Sequence, residues 1–305
     1  LFIKELDCEV FKNINCKNLP SLRRNIVYQF LYELLIVFIP LFTIPYVSRV
    51  LGAENIGLFS YTYAVANYFV LFANLGIKNY GSRTIAMVRN NKEELNRNFS
   101  EILSIHIIFS IIVIFVYLVL LFFFVEDNLV IFLIQSIYVF AAVFDINWFF
   151  FGIEKFKLTV GRNTLVKILS VFLVLVFVKT QTDLWIYALI LALSVFVGQS
   201  VVWFALKQYV SWRRPSWANM KQHIRPLFVL FLPILALSLY KYMDKIMLGS
   251  ISSNVQVGFY ENAEKIINVP MSLIMAFGVV LMPRIANMVT SKDKGEVFKL
   301  IDMSM

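Results

Sequence analysis

Long apolar stretches dominate the chain. A helix needs roughly 20 mostly apolar residues to cross the hydrocarbon core of a bilayer. Segments of this length recur along the sequence, and several lack the polar face that an amphipathic helix of a soluble protein shows. The pattern predicts eight membrane-spanning helices at about residues 26–48, 56–77, 102–125, 129–151, 159–178, 184–206, 227–248 and 257–282.

Positive charge alternates between the segments that connect these helices. Alternate connections carry 22 Lys and Arg residues on one side of the membrane and 2 on the other. Because cytoplasmic loops are enriched in Lys and Arg, both ends of the chain are predicted to be cytoplasmic. The composition agrees, with 60% hydrophobic and only 15% charged residues and a mean hydropathy of +0.75. The net charge of +9 is explained by these loops without a nucleic-acid partner.

A weak internal repeat relates the first two predicted spans to the seventh and eighth. Gly52 corresponds to Gly249 at an offset of 197, and Gly57 corresponds to Gly258 at an offset of 201. Six spans separate the two copies, so both copies have the same orientation in the membrane. This predicts a parallel repeat about an axis along the membrane normal.

The repeat suggests a chain organised in two bundles, the second of them incomplete. We predict an all-α polytopic membrane protein with one six-helix bundle and the first two helices of a second bundle. A natural eight-span protein is the alternative. The predicted divisions are a polar cytoplasmic N-terminal segment at 1–25, a first bundle at 26–206, a cytoplasmic linker at 207–226 and the start of a second bundle at 227–305.

The last two predicted spans carry charged residues, which are costly inside a membrane. Lys241, Asp244 and Lys245 share one helix face, and Glu261 and Glu264 share a face of the next helix. An antiparallel hairpin would bring these groups to matching depths. One interpretation is ion pairing that holds the hairpin together. The other is a charged cavity wall with coupling-ion carboxylates.

Polar residues in earlier spans leave similar alternatives open. Glu33 has no basic partner on its own helix, so it could bind a coupling cation or proton, or pair with Lys167. Asn67 and Asn74 are one heptad apart on the second span. Their amides could line a cavity for sugar hydroxyls or form hydrogen bonds between helices.

The sequence carries no recognisable catalytic signature. It has no P-loop, no GxGxxG after a strand, no HExxH and no GxSxG. The two cysteines, Cys8 and Cys16, form no paired metal motif. We therefore predict a protein that is not an enzyme and has neither a metal nor a cofactor.

Several short runs resemble the bacterial polysaccharide exporters known as Wzx or O-antigen flippases, which belong to the MOP superfamily. The similarity is ordered from about residue 22 to residue 290. The runs that carry it are residues 40–52, 54–57, 75–81, 242–249, 257–265 and 282–284.

This resemblance implies alternating-access transport of an undecaprenyl-pyrophosphate-linked oligosaccharide for surface polysaccharide, and a chain that lacks its last third. Expected partners are membrane lipids, a coupling cation (H+ or Na+) and polysaccharide polymerase machinery. The alternatives are a MATE-like cation-coupled antiporter of organic cations and a non-transporting membrane scaffold of a glycan-synthesis complex. Candidate substrate-binding residues are Arg24, Arg49, Asn67, Asn74, Lys167, Lys241 and Lys245, and candidate ion-coupling residues are Glu33, Asp244, Glu261 and Glu264.

Overall fold

The computed structural model describes the backbone of residues 19–268, 270 and 271, and the side chains of residues 43–155, 158–268, 270 and 271. These residues form helices and connecting turns, and no strand occurs among them. The helices are α1 (Leu19–Asn74), α2 (Ile77–Val88), α3 (Lys92–Phe124), α4 (Leu129–Val143), α5 (Asn147–Gly152), α6 (Phe156–Phe177), α7 (Leu184–Leu206), α8 (Trp217–Ile251) and α9 (254–268), with a short 3-10 helix at Gln181–Asp183.

The predicted all-α polytopic membrane fold is confirmed. Six helices in the described part of the chain are long and apolar enough to cross a membrane. The third, fifth, sixth and seventh predicted spans coincide closely with α3, α6, α7 and α8. The fourth is divided, because the helix stops at Val143 and resumes at Asn147. The eighth lies partly outside the described residues.

The first two predicted spans both belong to α1, which is interrupted at Gly52. This residue has φ 76° and ψ 167°, a backbone conformation far from helical. Side chains other than hydrogen make this region costly, so glycine is the residue that allows the break. The interruption falls where the sequence predicts the turn between the two spans.

Residues 38–263 form one compact unit, and residues 1–37 and 264–305 group as another. The described parts of the second unit are helical. Within the first unit, the largest hydrophobic cluster centres on aromatic residues of α3 and α5, with the Phe99 and Trp148 rings 5.6 Å apart and the Phe99 and Phe149 rings 4.9 Å apart. Met220 and Leu227 of α8 join this cluster. The first turns of α8 are therefore anchored to the preceding helices.

Connecting segments meet at two separate places in this unit. We call the first place the Gly52 end, and it contains residues 49–58, 125–128, 179–183 and 249–258. The Asn55 amide donates there to the Gln181 carbonyl at 2.9 Å. Val125, Asn128 and Asn254 line one common cavity at this end. The other, the His223 end, contains residues 75–101, 152–158 and 207–226.

Ion pairs hold the His223 end together. Arg89 contacts Glu154 at 2.5 Å, and Arg213 contacts Glu93 at 3.0 Å. Successive connections thus alternate between the two ends, as the distribution of Lys and Arg predicts.

The segment predicted as a linker, 207–226, has two structurally different halves. Its second half is helical and forms the first turns of α8. Its first half binds to α3, since the backbone N–H groups of Ser211 and Arg213 donate to Asn96 and Ser100, both at 3.0 Å. Satisfying buried polar groups in this way fixes the segment against the helices before it.

Candidate functional site

The predicted pairing between the last two spans is confirmed for one pair of residues. Lys245 Nζ lies 2.6 Å from Glu261 Oε2, and both side chains are nearly buried. One residue earlier on each helix, the Tyr260 hydroxyl donates to Asp244 Oδ2 at 2.7 Å. Both contacts join α8 to α9, because residues near a hairpin turn meet at matching depths. The coupling roles predicted for Asp244 and Glu261 stay predictions.

A row of aromatic rings connects α8 to the second half of α1. The Tyr68 and Tyr242 rings lie 5.9 Å apart in an edge-to-face arrangement, and the Tyr68 hydroxyl donates to the Ser238 carbonyl at 3.4 Å. Lys241 Nζ lies 5.6 Å from the centre of the Tyr242 ring. Tyrosines beside an exposed ammonium group provide both an apolar surface and hydrogen-bonding groups.

The two predicted asparagines use their amide groups within their own helix. The Asn67 amide donates to the Tyr63 carbonyl at 2.8 Å, and the Asn74 amide donates to the Val70 carbonyl at 3.0 Å. Each contact spans one helical turn. Each amide nitrogen keeps a second N–H group and each side-chain oxygen can accept, so the predicted role of these residues in substrate binding stays a prediction.

The remaining predicted residues lie apart from the α8–α9 hairpin or outside the description. Arg49 is exposed near the Gly52 end, and Lys167 is half-buried on α6. The side chains of Arg24 and Glu33 lie outside the described residues. Glu264 belongs to the other compact unit, so its predicted proximity to Lys241 stays a prediction.

The two copies of the repeat meet at the Gly52 end through glycine. A Cβ atom on Gly57 would lie 1.6 Å from the Asn254 carbonyl oxygen, and one on Gly258 would lie 1.9 Å from the Ala53 carbonyl oxygen. Ala53 and Asn254 are separated by the same offset of 201 as the two glycines. The contact is therefore reciprocal, since each copy places its glycine against the equivalent carbonyl of the other copy.

Further contacts flank this glycine pair. A Cβ atom on Gly249 would lie 2.4 Å from the Tyr61 ring, and the Ser48 hydroxyl donates to Asn262 Oδ1 at 3.1 Å. Backbone approaches this close leave no room for water or a ligand between the segments. We call this contact between residues 48–61 and 249–262 the glycine gate.

A buried polar chain fixes the opposite end. The Tyr80 hydroxyl lies 2.6 Å from His223 Nδ1, and His223 Nε2 lies 2.9 Å from Glu101 Oε2. If the Nε2–H group donates to the carboxylate, Nδ1 accepts the Tyr80 proton and every partner is satisfied. This chain joins α2, α3 and α8, and His223 and Glu101 are almost completely buried.

A second polar cluster lies between α6 and α7. Arg162 donates to the Gly198 carbonyl at 2.8 Å and to Asn147 Oδ1 at 3.1 Å. The Asn147 amide in turn donates to Asp145 at 2.7 Å and to Gln199 at 2.9 Å. Arg162 lies within α6, where carbonyl and amide oxygens solvate its charge.

Sequence reasoning missed the glycine gate and the Tyr80–His223–Glu101 chain. The repeat does single out both glycines, but it does not show what faces them. Nothing in the sequence joins Tyr80 to His223, which is 143 positions away. The only available signal is that polar residues stand next to predicted spans.

Comparison with known proteins decides the family. The family described as "Polysaccharide biosynthesis protein" matches residues 22–289, which include both repeat copies and both ends of the compact unit. The chain belongs to this family. This match confirms the resemblance to polysaccharide exporters that the sequence shows.

Two curated relatives support the assignment. Both are named "Putative O-antigen transporter", one from Escherichia coli K12 and one from Shigella dysenteriae. The first is 27% identical over 92% of this chain and 69% of its own length. The second is 24% identical over 88% of this chain and 68% of its own length. No solved structure matches the chain.

Proposed function

We propose that this member of the polysaccharide biosynthesis family is a flippase. Its substrate is an undecaprenyl-pyrophosphate-linked oligosaccharide, which it moves across the cytoplasmic membrane by alternating access for surface polysaccharide synthesis. The family membership and the names of the two relatives support a polysaccharide or O-antigen precursor as the substrate. The same names support transport rather than catalysis.

The glycine gate is the observation that carries this proposal. Transporters built from repeats move by rocking one repeat against the other, so that one end of the path is closed at a time. Here the equivalent segments of the two copies make reciprocal backbone contact at the Gly52 end. This contact has the properties of a closed gate, because it is reciprocal and its central approach is between glycine and backbone carbonyl groups.

The Gly52 end faces the outside of the cell in this proposal. Described connections at the His223 end are rich in Lys and Arg, whereas Arg49 and Lys179 are the basic residues near the Gly52 end. The positive-inside rule therefore favours a cytoplasmic His223 end and a cytoplasmic N-terminus. Substrate would enter from the cytoplasmic leaflet while the glycine gate is closed.

Substrate contacts would come from the surface that α8 and α1 share. On this surface Lys241 offers positive charge to a pyrophosphate, and the Tyr68–Tyr242 pair offers an apolar face to sugar rings. Lys167 of α6 would add positive charge from outside this surface. Asp244 is the strongest candidate for a coupling carboxylate, because it is exposed and accepts a single tyrosine hydrogen bond in the structure. Glu261 would first have to leave its ion pair with Lys245.

Deletion of the gene tests the proposal. We expect loss of surface polysaccharide and accumulation of lipid-linked oligosaccharide in the cytoplasmic leaflet. The full-length gene should restore the polysaccharide and remove the accumulated precursor. Normal surface polysaccharide in the deletion strain would refute the proposal.

The same strain separates the competing functions. A cation-coupled drug antiporter would instead alter sensitivity to organic cations, and the pairing of Glu261 with Lys245 disfavours the acidic cavity that such an antiporter needs. A scaffold for glycan synthesis would tolerate simultaneous alanine substitution of Glu33, Lys241 and Asp244. Direct contact with a polymerase would appear as co-purification of the two proteins.

A further inference from the structure

A cavity of about 560 Å³ opens at the His223 end, between α2, α3 and α8. Arg83 of α2 and Arg97 of α3 line it, together with Gln222 of α8. Its rear wall is formed by Tyr80 and His223, which the buried hydrogen-bond chain to Glu101 holds in place. The fold therefore holds the walls of this cavity in place. The cavity lies apart from the glycine gate and from the contact between Tyr68 and Tyr242.

The positive charge of this cavity is not compensated within the described structure. Two other arginines at the same end have acidic partners, with Arg89 bound to Glu154 and Arg213 bound to Glu93. Among the described residues, no ion pair or hydrogen bond involves the side chains of Arg83 or Arg97, and no carboxylate lines the cavity. Two unpaired guanidinium groups in one concave site favour an anion with several oxygens, such as a phosphate.

The other wall of the cavity is apolar. Met87, Val229 and Leu230 line it, and Met87 and Val229 are 70% and 57% exposed. Gln222 and Leu230 are eight residues apart on α8, which corresponds to about 12 Å along a helix axis. The predicted hydrocarbon segment of this helix begins at residue 227. The cavity thus extends from the polar membrane surface into the depth of the lipid chains.

We propose that this cavity binds the phosphate headgroup of a membrane lipid, with the lipid chain lying along Met87 and Val229. Basic pockets at the cytoplasmic ends of membrane helices recognise lipid headgroups in this manner. The phosphate could belong to the polyprenyl pyrophosphate of the proposed substrate, for which a polyprenyl phosphate serves as the probe, or to an anionic phospholipid. The site itself stands on the cavity and its charges, and only the first of these sources rests on the proposed function.

Binding to the purified full-length protein in neutral phosphatidylcholine nanodiscs tests this site. The probes are a fluorescent polyprenyl phosphate, a fluorescent phosphatidylglycerol and inorganic phosphate as a competitor. Arg83→Gln combined with Arg97→Gln should weaken binding of at least one lipid probe by roughly 30-fold, if each arginine contributes as a basic residue near a membrane surface does. Val229→Trp should also weaken binding, because it fills the cavity from an exposed position without changing the charge.

Lys221→Gln combined with Arg225→Gln is the matched control, because both residues are exposed on α8 at the same end and neither lines the cavity. Equal losses in the control and in the arginine variant would refute the site, as would unchanged binding after loss of Arg83 and Arg97. Preference for the polyprenyl probe assigns the site to the substrate lipid, and equal binding of both probes assigns it to anionic lipids in general. If inorganic phosphate displaced the fluorescent lipid at the same concentration as an unlabelled lipid does, the apolar wall would have no role in binding.

Discussion

Alanine at Gly57 should prevent the glycine gate from closing. The added Cβ would lie 1.6 Å from the Asn254 carbonyl oxygen, whereas carbon and oxygen atoms in close contact normally stay about 3.3 Å apart. The two backbones would have to separate by roughly 1.7 Å, the difference between these two distances. No rotamer change can relieve the clash, because the nearest atoms belong to the backbone.

The energetic effect follows from this distance. Overpacking a tight contact typically costs about 1–3 kcal/mol, and contacts with backbone belong to the upper part of this range. A cost of about 2 kcal/mol on the closed state alone lowers its population relative to the open state by roughly 30-fold. Gly258→Ala should act in the same way, since its Cβ would lie 1.9 Å from the Ala53 carbonyl oxygen.

Thiol labelling in intact cells measures gate opening directly. Val257 is completely buried beside Gly258, so a Val257→Cys variant with Cys8 and Cys16 replaced by Ser should react slowly with a membrane-impermeant maleimide. Adding Gly57→Ala should increase the labelling rate and reduce surface polysaccharide. The matched control is Gly161→Ala, because a Cβ at that glycine of α6 has no atom within 4 Å.

The double variant provides a stricter test. When the two backbones separate to admit one new methyl group, they also make room for the other. The double variant Gly57→Ala with Gly258→Ala should therefore destabilise the closed state by much less than the sum of the two single effects. Slow labelling of Val257→Cys in both single variants, at normal expression, would refute the closed gate. An effect of Gly161→Ala as large as that of Gly57→Ala would refute the steric explanation.

Two further predictions concern stability. Lys245→Met and Glu261→Met should each lower the free energy of unfolding by about 3–5 kcal/mol, because each removes one charge of a nearly buried ion pair. The double variant should recover most of this loss. Thermal unfolding in detergent measures the effect, and full additivity of the two single effects would contradict the pairing. Tyr80→Phe should lower the free energy of unfolding by about 1–3 kcal/mol, because it removes the hydroxyl bound to buried His223. The control Tyr240→Phe, at a residue 84% exposed, should leave the free energy of unfolding almost unchanged. Equal effects of the two substitutions would contradict the buried hydrogen-bond chain.

The predicted elements and the observed ones agree where local physics is sufficient. The length of an apolar segment decides whether it can cross a bilayer, so α3, α6, α7 and α8 could be located from hydropathy alone. Loop charge predicts which connections share an end, and contacts such as Arg213 with Glu93 place them as expected. Breaks such as the one between Val143 and Asn147 were missed, because they lie inside an apolar segment.

Part of the candidate site was also accessible from the sequence. Helical spacing puts Asp244 and Lys245 near the turn of a predicted hairpin, and antiparallel neighbours meet at equal depth, so the pair between Lys245 and Glu261 follows from local geometry. The amide of Asn67 was not predictable in this way. A carbonyl of its own helix competes with any neighbouring helix or ligand, and only the packed structure shows which partner it uses.

The sequence by itself determined that this chain is a helical membrane protein, because hydropathy and charge act over one helix or one loop. The parallel repeat stays a prediction from the spacing of a few residues. Only the tertiary structure decided which residues of distant segments meet. Gly57 and Gly258 are 201 positions apart, yet their partners are backbone carbonyls, which every residue possesses and no sequence pattern marks. The cavity of Arg83 and Arg97 likewise exists only because three helices pack around it. Contacts between backbone atoms and the shape of a cavity depend on packing, and packing is a property of the whole fold.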